Sequence, residues 1–230
     1  MPRKSYDREL QGLQNQVFVL SSMVEKVIVD SVQTLQQRDQ EAARDLIAGD
    51  LVINERRYAI EADALTLIAT QQPMAGDLRT IFTVLEIATE LERMADYAKG
   101  IAKINVLIGD KPLLEPFGQI PRMAEKARDM LRGALEAFER RDAALARAVA
   151  AKDDEMDALH NHIYHELLTF TRADKDTVDQ ATQLLWVVHN LERVADRAIN
   201  ICERVVFTVT GELVELEVDD GVEAGMAGVL

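Results

Sequence analysis

The chain holds 230 residues, with 40 Asp and Glu against 26 Lys and Arg, for a formal net charge of -14 at pH 7. Such a surface repels nucleic acid and acidic membranes, which leaves cations, basic protein patches and plain solubility as explanations for the acid. Hydrophobic residues make up 48% and there are only 11 Gly and 5 Pro, too apolar for disorder and too poor in turn residues for a many-stranded sheet.

Apolar residues recur at helical spacing along almost the whole chain. The spacing predicts a first helix from about Ser5 to Gln37, with Leu13, Val17, Leu20, Val24, Val27 and Ser31 on one stripe. Arg38-Asp39 opens a second helix to about Thr70, which Gln71-Gln72-Pro73 interrupts, and Asp77-Leu78-Arg79 opens a third to about Leu107. Residues 108–118 hold two prolines and two glycines and read as a linker. Three more helices are predicted, at about Ile120–Arg140, Asp142–Phe170 and Asp176–Val209. The stretch from Gly211 to Leu230 carries six acids and no Lys or Arg, and reads as a frayed acidic tail.

The two halves repeat. Leu91-Glu92-Arg93-Met94-Ala95-Asp96-Tyr97-Ala98-Lys99-Gly100-Ile101 stands one hundred positions before Leu191-Glu192-Arg193-Val194-Ala195-Asp196-Arg197-Ala198-Ile199-Asn200-Ile201, and seven of these eleven pairs are identical. Met23, Glu25, Lys26 and Leu35 match Met123, Glu125, Lys126 and Leu135 at the same offset. Arg38, Asp39, Ala43, Arg44 and Asp50 match Arg141, Asp142, Ala146, Arg147 and Asp153 at an offset of 103, as expected when helices are kept and turns vary in length. The expected architecture is all-α: two tandem, pseudo-repeated three-helix bundles built from six long helices. The expected units are residues 1–107, a linker at 108–118, a second bundle at 119–210 and the tail at 211–230.

On the third helix Leu78, Phe82, Leu85, Thr89, Glu92 and Asp96 share one column, beside a second column of Val84, Ile87, Leu91, Met94, Ala98 and Ile101. The two acids thus interrupt a stripe that reads as buried. The sixth helix repeats the pattern with Leu185, His189, Glu192 and Asp196. Like charges one turn apart weaken a helix unless a cation intervenes. The second helix adds Asp50, Asn54 and Glu61, and the fifth adds Asp153, Asp157 and His160. Oxygen-rich sets of this kind suit Mg²⁺, Ca²⁺, Mn²⁺ or iron, and salt bridges to Arg93 and Arg193 are the competing reading.

The remaining candidates are weaker. His160, His162 and His165 fan around one helix, while His189 lies one turn before Glu192 and could join its site. A phosphotransfer role for His189 is disfavoured because its repeat mate is Thr89. No repeated Glu-x-x-His pair of a ferritin-like centre occurs, and no Gly-rich phosphate loop, nucleophile elbow or triad signature is present. Cys202, Trp186 and the methionines read as core. The lone cysteine cannot form an internal disulfide, the polar N-terminus lacks a signal-peptide pattern, and no run of about 18 apolar residues could span a membrane, so the cytoplasm is expected.

Gly49-Asp50-Leu51-Val52-Ile53-Asn54-Glu55, Ile68-Ala69-Thr70-Gln71-Gln72-Pro73-Met74-Ala75-Gly76-Asp77-Leu78-Arg79, the twin Leu-Glu-Arg-x-Ala-Asp motifs and the ending Asn200–Glu212 together resemble the PhoU family, over roughly Ser5 to Glu212. The resemblance implies a cytoplasmic, non-enzymatic negative regulator of phosphate uptake and phosphate-starvation signalling. It implies contacts with the ATPase of the phosphate ABC transporter and with the phosphate-sensing histidine kinase, a homodimer, and membrane contact only through partners. It also implies divalent or iron cations (Fe, Mg or Mn), in multinuclear clusters in some members. By position the ligands are Glu92 with Asp96, Glu192 with Asp196, and Asp153 with Asp157. Asp50 pairs with Asn54 where the pattern gives a second carboxylate, so the first set carries less charge. The alternative of a different class is a carboxylate-bridged metalloenzyme or metal-storage bundle.

Overall fold

The structure, a computed structural model, describes residues 2–216. Among these residues seven α-helices follow one another: α1 Pro2–Gln37, α2 Gln40–Gln71, α3 Gly76–Ile108, α4 Ile120–Arg140, α5 Ala143–Ala150, α6 Asp153–Ala173 and α7 Val178–Thr210. Six are long, no strand occurs among the described residues, and a short 3-10 turn at Glu115–Gln119 leads into α4.

The helix expected from Asp142 to Phe170 is broken at Ala151-Lys152 into α5 and α6. Two causes coincide, one local and one tertiary. Asp153, Asp154 and Glu155 form the first turn of α6, where carboxylates complement the positive end of the helix dipole. The preceding α5 is clamped onto α4, with Val149 seated against Gly133.

The Arg-Asp dipeptide shared by the repeats is a turn device. Arg38 and Arg141 adopt left-handed φ values of 57° and 51°. Asp39 N–H bonds Thr34 O while Arg38 N–H bonds Leu35 O, and Asp142 and Arg141 bond Ala137 O and Phe138 O in the same way. This is the Schellman closure of one helix. The same aspartates then cap the next: Asp39 accepts from Ala42 N–H, and Asp142 from Ala144 and Leu145 N–H. One residue thus ends one helix and starts another, which keeps antiparallel neighbours close.

α1, α2 and α3 form one bundle, and α4 to α7 the other. On α1 the fully buried line runs through Leu13, Val17, Leu20, Val24 and Ile28, with Val27 only partly buried beside it and Ser31 buried on the Ile28 carbonyl. The largest contact in the molecule lies between α3 and α7, so the repeats share one core.

The register of that contact is antiparallel and centred. Glu86 meets Arg204 at 4.0 Å, Glu90 meets Asn200 at 3.3 Å, the Arg193 guanidinium lies 4.9 Å from the Tyr97 ring centre, and Asn190 closes on Gly100. In each pair one residue is as far from Ala95 as the other is from Ala195, in the opposite sense. The repeat operation therefore exchanges the Glu90–Asn200 and Gly100–Asn190 contacts, and Ala95 lies level with Ala195 on the pseudo-twofold axis. Both alanines are buried, as a close crossing of two helices requires.

After Gly211 the described chain is non-helical and turns back along α7. Leu216 N–H donates to Glu203 Oε1 at 2.9 Å, and Val214 and Leu216 pack against the core. The rest of the expected acidic tail, residues 217–230, lies outside the described residues.

Candidate functional site

The two columns expected on α3 are both real, but only one is core. Val84, Ile87, Leu91, Met94 and Ala98 are buried, whereas Leu78 and Phe82 are each about two-fifths exposed and Asp96 is exposed. Glu92 and Asp96 therefore continue an open face and do not puncture a buried one. Trp186 follows the same rule: expected in the core, it is 59% exposed, because it lies on the α7 stripe that runs through Thr182 and His189 to Glu192. Met74, 79% exposed, likewise departs from the expectation for methionines. Cys202 is buried as expected, and burial pushes its thiol up to about 12, which removes the nucleophilic thiolate at neutral pH.

The first acidic set lies between α2 and α3. Asp50 is 5% exposed and accepts from Lys99 Nζ at 2.6 Å and from Asn54 Nδ2 at 3.1 Å. Its other oxygen, Oδ1, is buried with no donor. Lys99 also reaches Asp96 Oδ1 at 3.5 Å, so its ammonium bridges carboxylates from two helices. The hydrogen bond from Lys99 to Asp50 holds the ammonium above its usual range. Burial, then the charge of Asp96, raises the Glu92 carboxyl, with Arg57 opposing. Arg57 is itself paired with Glu61.

The second set lies between α6 and α7 and is built differently. Glu192 Oε2 is approached by His189 Nδ1 at 3.0 Å on its own helix and by His160 Nε2 at 3.6 Å from α6. Asp196 lies one turn past Glu192 on α7, while Asp153 and Asp157 lie one turn apart at the start of α6, at the positions that Asp50 and Asn54 hold in α2. Of the arginines in the two motifs, Arg93 pairs with Glu90 at 3.0 Å while its charge still acts on Glu92, and Arg193 stacks on Tyr97.

Among the described residues no group of three or more His, Cys, Asp or Glu side chains stands ready to hold a metal ion. The first set has the buried, unpartnered Asp50 oxygen that a cation would satisfy, but Lys99 already occupies the other oxygen. The second set mixes carboxylates with imidazoles, donor types that differ from the all-oxygen first set. Sequence reasoning found the carboxylates and His189 but missed Lys99. Its signal was there, in the mismatch of Lys99 with Ile199 across otherwise matching motifs.

Beyond the first set the open face becomes apolar. Leu78, Phe82, Leu85, Phe207 and Leu213 line a groove of about 430 Å³ edged by Arg79 and Arg204, with the Phe82 and Phe207 rings edge to face. No helix among the described residues is long and apolar enough to cross a membrane.

The described residues form an all-helical tandem repeat whose acidic side chains are spread along an open face. Two copies of the PhoU domain match, over residues 19–104 and 120–205. The chain belongs to the PhoU family. It is 36% identical, over 94% of its length and 99% of the relative's, to the phosphate-specific transport system accessory protein PhoU homolog of Clostridium acetobutylicum. It is also 36% identical to the homolog of the same name from Caulobacter vibrioides, over 91% of each chain. The crystal structure of the phosphate transport system regulatory protein PhoU from Streptococcus pneumoniae superposes with a TM-score of 0.83 at 33% identity, covering 91% of this chain and 99% of that one. PhoU from Pseudomonas aeruginosa gives 0.85 at 28% identity, covering 90% and 100%. Such relatives are named as accessory and regulatory proteins and not as enzymes, so the metalloenzyme alternative is set aside.

Proposed function

We propose that this chain is an accessory regulator of phosphate-specific transport that lowers phosphate uptake and quiets the phosphate-starvation response when phosphate is plentiful. In this reading it works in the cytoplasm as a homodimer and docks on the ATPase of the phosphate ABC transporter and on the phosphate-sensing histidine kinase. It reaches the membrane only through them, and nucleic acid plays no part. The observation that carries the reading is the open α3–α7 face, where Glu92 and Asp96 are repeated as Glu192 and Asp196 and where Phe82 and Trp186 are exposed. Large exposed aromatics of this kind are the side chains that anchor protein partners. The names of the relatives supply the transport system.

A divalent or iron cation held by Glu192 and Asp196, with Asp153, Asp157, His160 and His189 within the same repeat, belongs to this reading. Bound there, it would offset the acidic charge of α6 and α7 and stiffen their contact. Affinity capture of the full chain from cells grown at high and at low phosphate tests the docking. Recovery of the transporter ATPase and of the kinase is expected, with more of both at high phosphate. Recovery of neither in either condition would sink it. Metal content of protein purified without chelator tests the cation, and metal-free protein that takes up none of Mn²⁺, Mg²⁺ or Fe²⁺ would reject it.

A further inference from the structure

We infer that α2 carries a coiled-coil seam for the α2 of a second copy of this chain, so that the homodimer is built on the outer face of the first repeat. The inference rests on the homodimer reading above and names its interface. α2 is apolar on two opposite sides. Ile53, Ile60 and Leu67 are buried in the bundle, whereas Leu51, Tyr58 and Leu65, each two positions before one of them and so across the helix, are 69%, 58% and 61% exposed. Ala48, Ala62 and Ala69 are exposed too and continue the stripe at steps of three and four, the spacing of an a/d seam held over three heptads. Val52, Ala59 and Thr66 flank it and are exposed as well, which leaves Glu55 as the charged member of the band.

The second repeat supplies the control. At the offset of 103 that aligns Asp50 with Asp153, Leu51 corresponds to Asp154, Val52 to Glu155 and Tyr58 to Asn161, while Ala62 and Ala69 correspond to His165 and Arg172. These five mates are all exposed and all polar. The fold therefore does not demand apolar residues on this face, and a contiguous apolar stripe left in solvent marks an interaction surface.

Size, area and charge select the occupant. A twofold axis across the helix lays two copies of α2 antiparallel. With position 60 of the two copies level, Tyr58 of one meets Ala62 of the other and Leu51 meets Ala69, each pair twice, so large side chains fall on small ones. Glu55 falls level with Leu65 and is the mismatched layer. The exposed band offers on the order of 600 Å² per copy, or about 1,200 Å² in the pair, the lower end of specific stable interfaces. Each copy carries a net charge of -14, and an almost uncharged band is where two copies repel least.

Sedimentation velocity of the full chain at micromolar concentration, with circular dichroism of every variant, is the test. The wild type should sediment as a dimer. Leu51→Asp with Tyr58→Asn, the residues that the second repeat carries, should weaken the dimer at least roughly a hundredfold at unchanged helicity, as expected when the anchors of an interface are lost. Glu55→Ala should tighten it by roughly tenfold, because two acids leave the seam. Asn161→Lys, on the matching face of α6, should leave it unchanged. A dimer unmoved by the α2 changes would overturn the proposal and leave the homodimer reading standing, whereas a monomeric wild type would refute both. Should the double variant fail to fold, Ala62→His with Ala69→Arg decides in its place: loss of the dimer supports the seam, and its retention overturns it.

Discussion

Lys99 of α3 holds Asp50 of α2 through a 2.6 Å contact, and Asp50 is 5% exposed while the lysine keeps a quarter of its side chain in solvent. The pair ties the middle helix of the first repeat to the helix at the centre of the molecule. Removing one partner of a buried pair leaves an uncompensated charge, so Lys99→Met should destabilise metal-free protein by about 2–4 kcal/mol. Adding Asp50→Asn should recover much of that loss, because the stranded charge is gone. Urea titrations of both single variants and the double variant give the coupling, and additive effects would contradict it.

Glu92 sets a pH dependence of definite sign. Burial and the charge of Asp96 raise its carboxyl above the ordinary value of 4.5, so the folded chain binds the proton more tightly than the unfolded chain does. Its contribution to stability is full below about pH 4.5 and declines as pH rises through the raised value. In chelator-treated protein Glu92→Gln should melt at the wild-type temperature near pH 4 and above it at pH 7. A lower melting temperature at pH 7 would show that the carboxylate is a net stabilising partner.

Ala95 and Ala195 mark the crossing of α3 and α7, where added volume has nowhere to go. Ala95→Leu and Ala195→Leu should each cost about 1–3 kcal/mol. The two should be non-additive when combined, since both press on the same contact. Thermal melts and the elution volume on gel filtration report the loss and any opening of the two bundles.

Two helical glycines should respond with opposite sign. A Cβ at Gly49 in α2 would meet nothing within 4 Å, so Gly49→Ala should stabilise by about 0.5–1 kcal/mol through helix propensity alone. A Cβ at Gly133 in α4 would come within 2.6 Å of Val149 Cγ2, so Gly133→Ala should destabilise by about 1–3 kcal/mol as α5 is pushed off. Denaturant midpoints compare the two, and equal effects would mean that the α4–α5 contact yields freely.

Most of the fold was legible because it is written in short-range periodicity. Helix spacing along α1 and α3, the Gln71-Gln72-Pro73 break and the hundred-residue repeat each depend on neighbours in the chain, and they define two three-helix units without reference to packing. The break at Ala151-Lys152 was not legible as such. Continuous helical spacing runs through it, and the acids that open α6 act together with α5 meeting Gly133 of a different helix.

The repeated carboxylates, Glu92 with Asp96 and Glu192 with Asp196, were determined by sequence alone, since residues at i and i+4 share a helical face whatever surrounds it. Which way those faces point was decided by tertiary structure. It left Trp186 and Phe82 in the open, centred the α3–α7 crossing on Ala95 and Ala195, and brought Lys99 against Asp50 from a separate helix. The physical reason is one of range. Periodicity encodes a side chain's direction about its own helix axis, whereas its partners depend on how helices distant in sequence share one core.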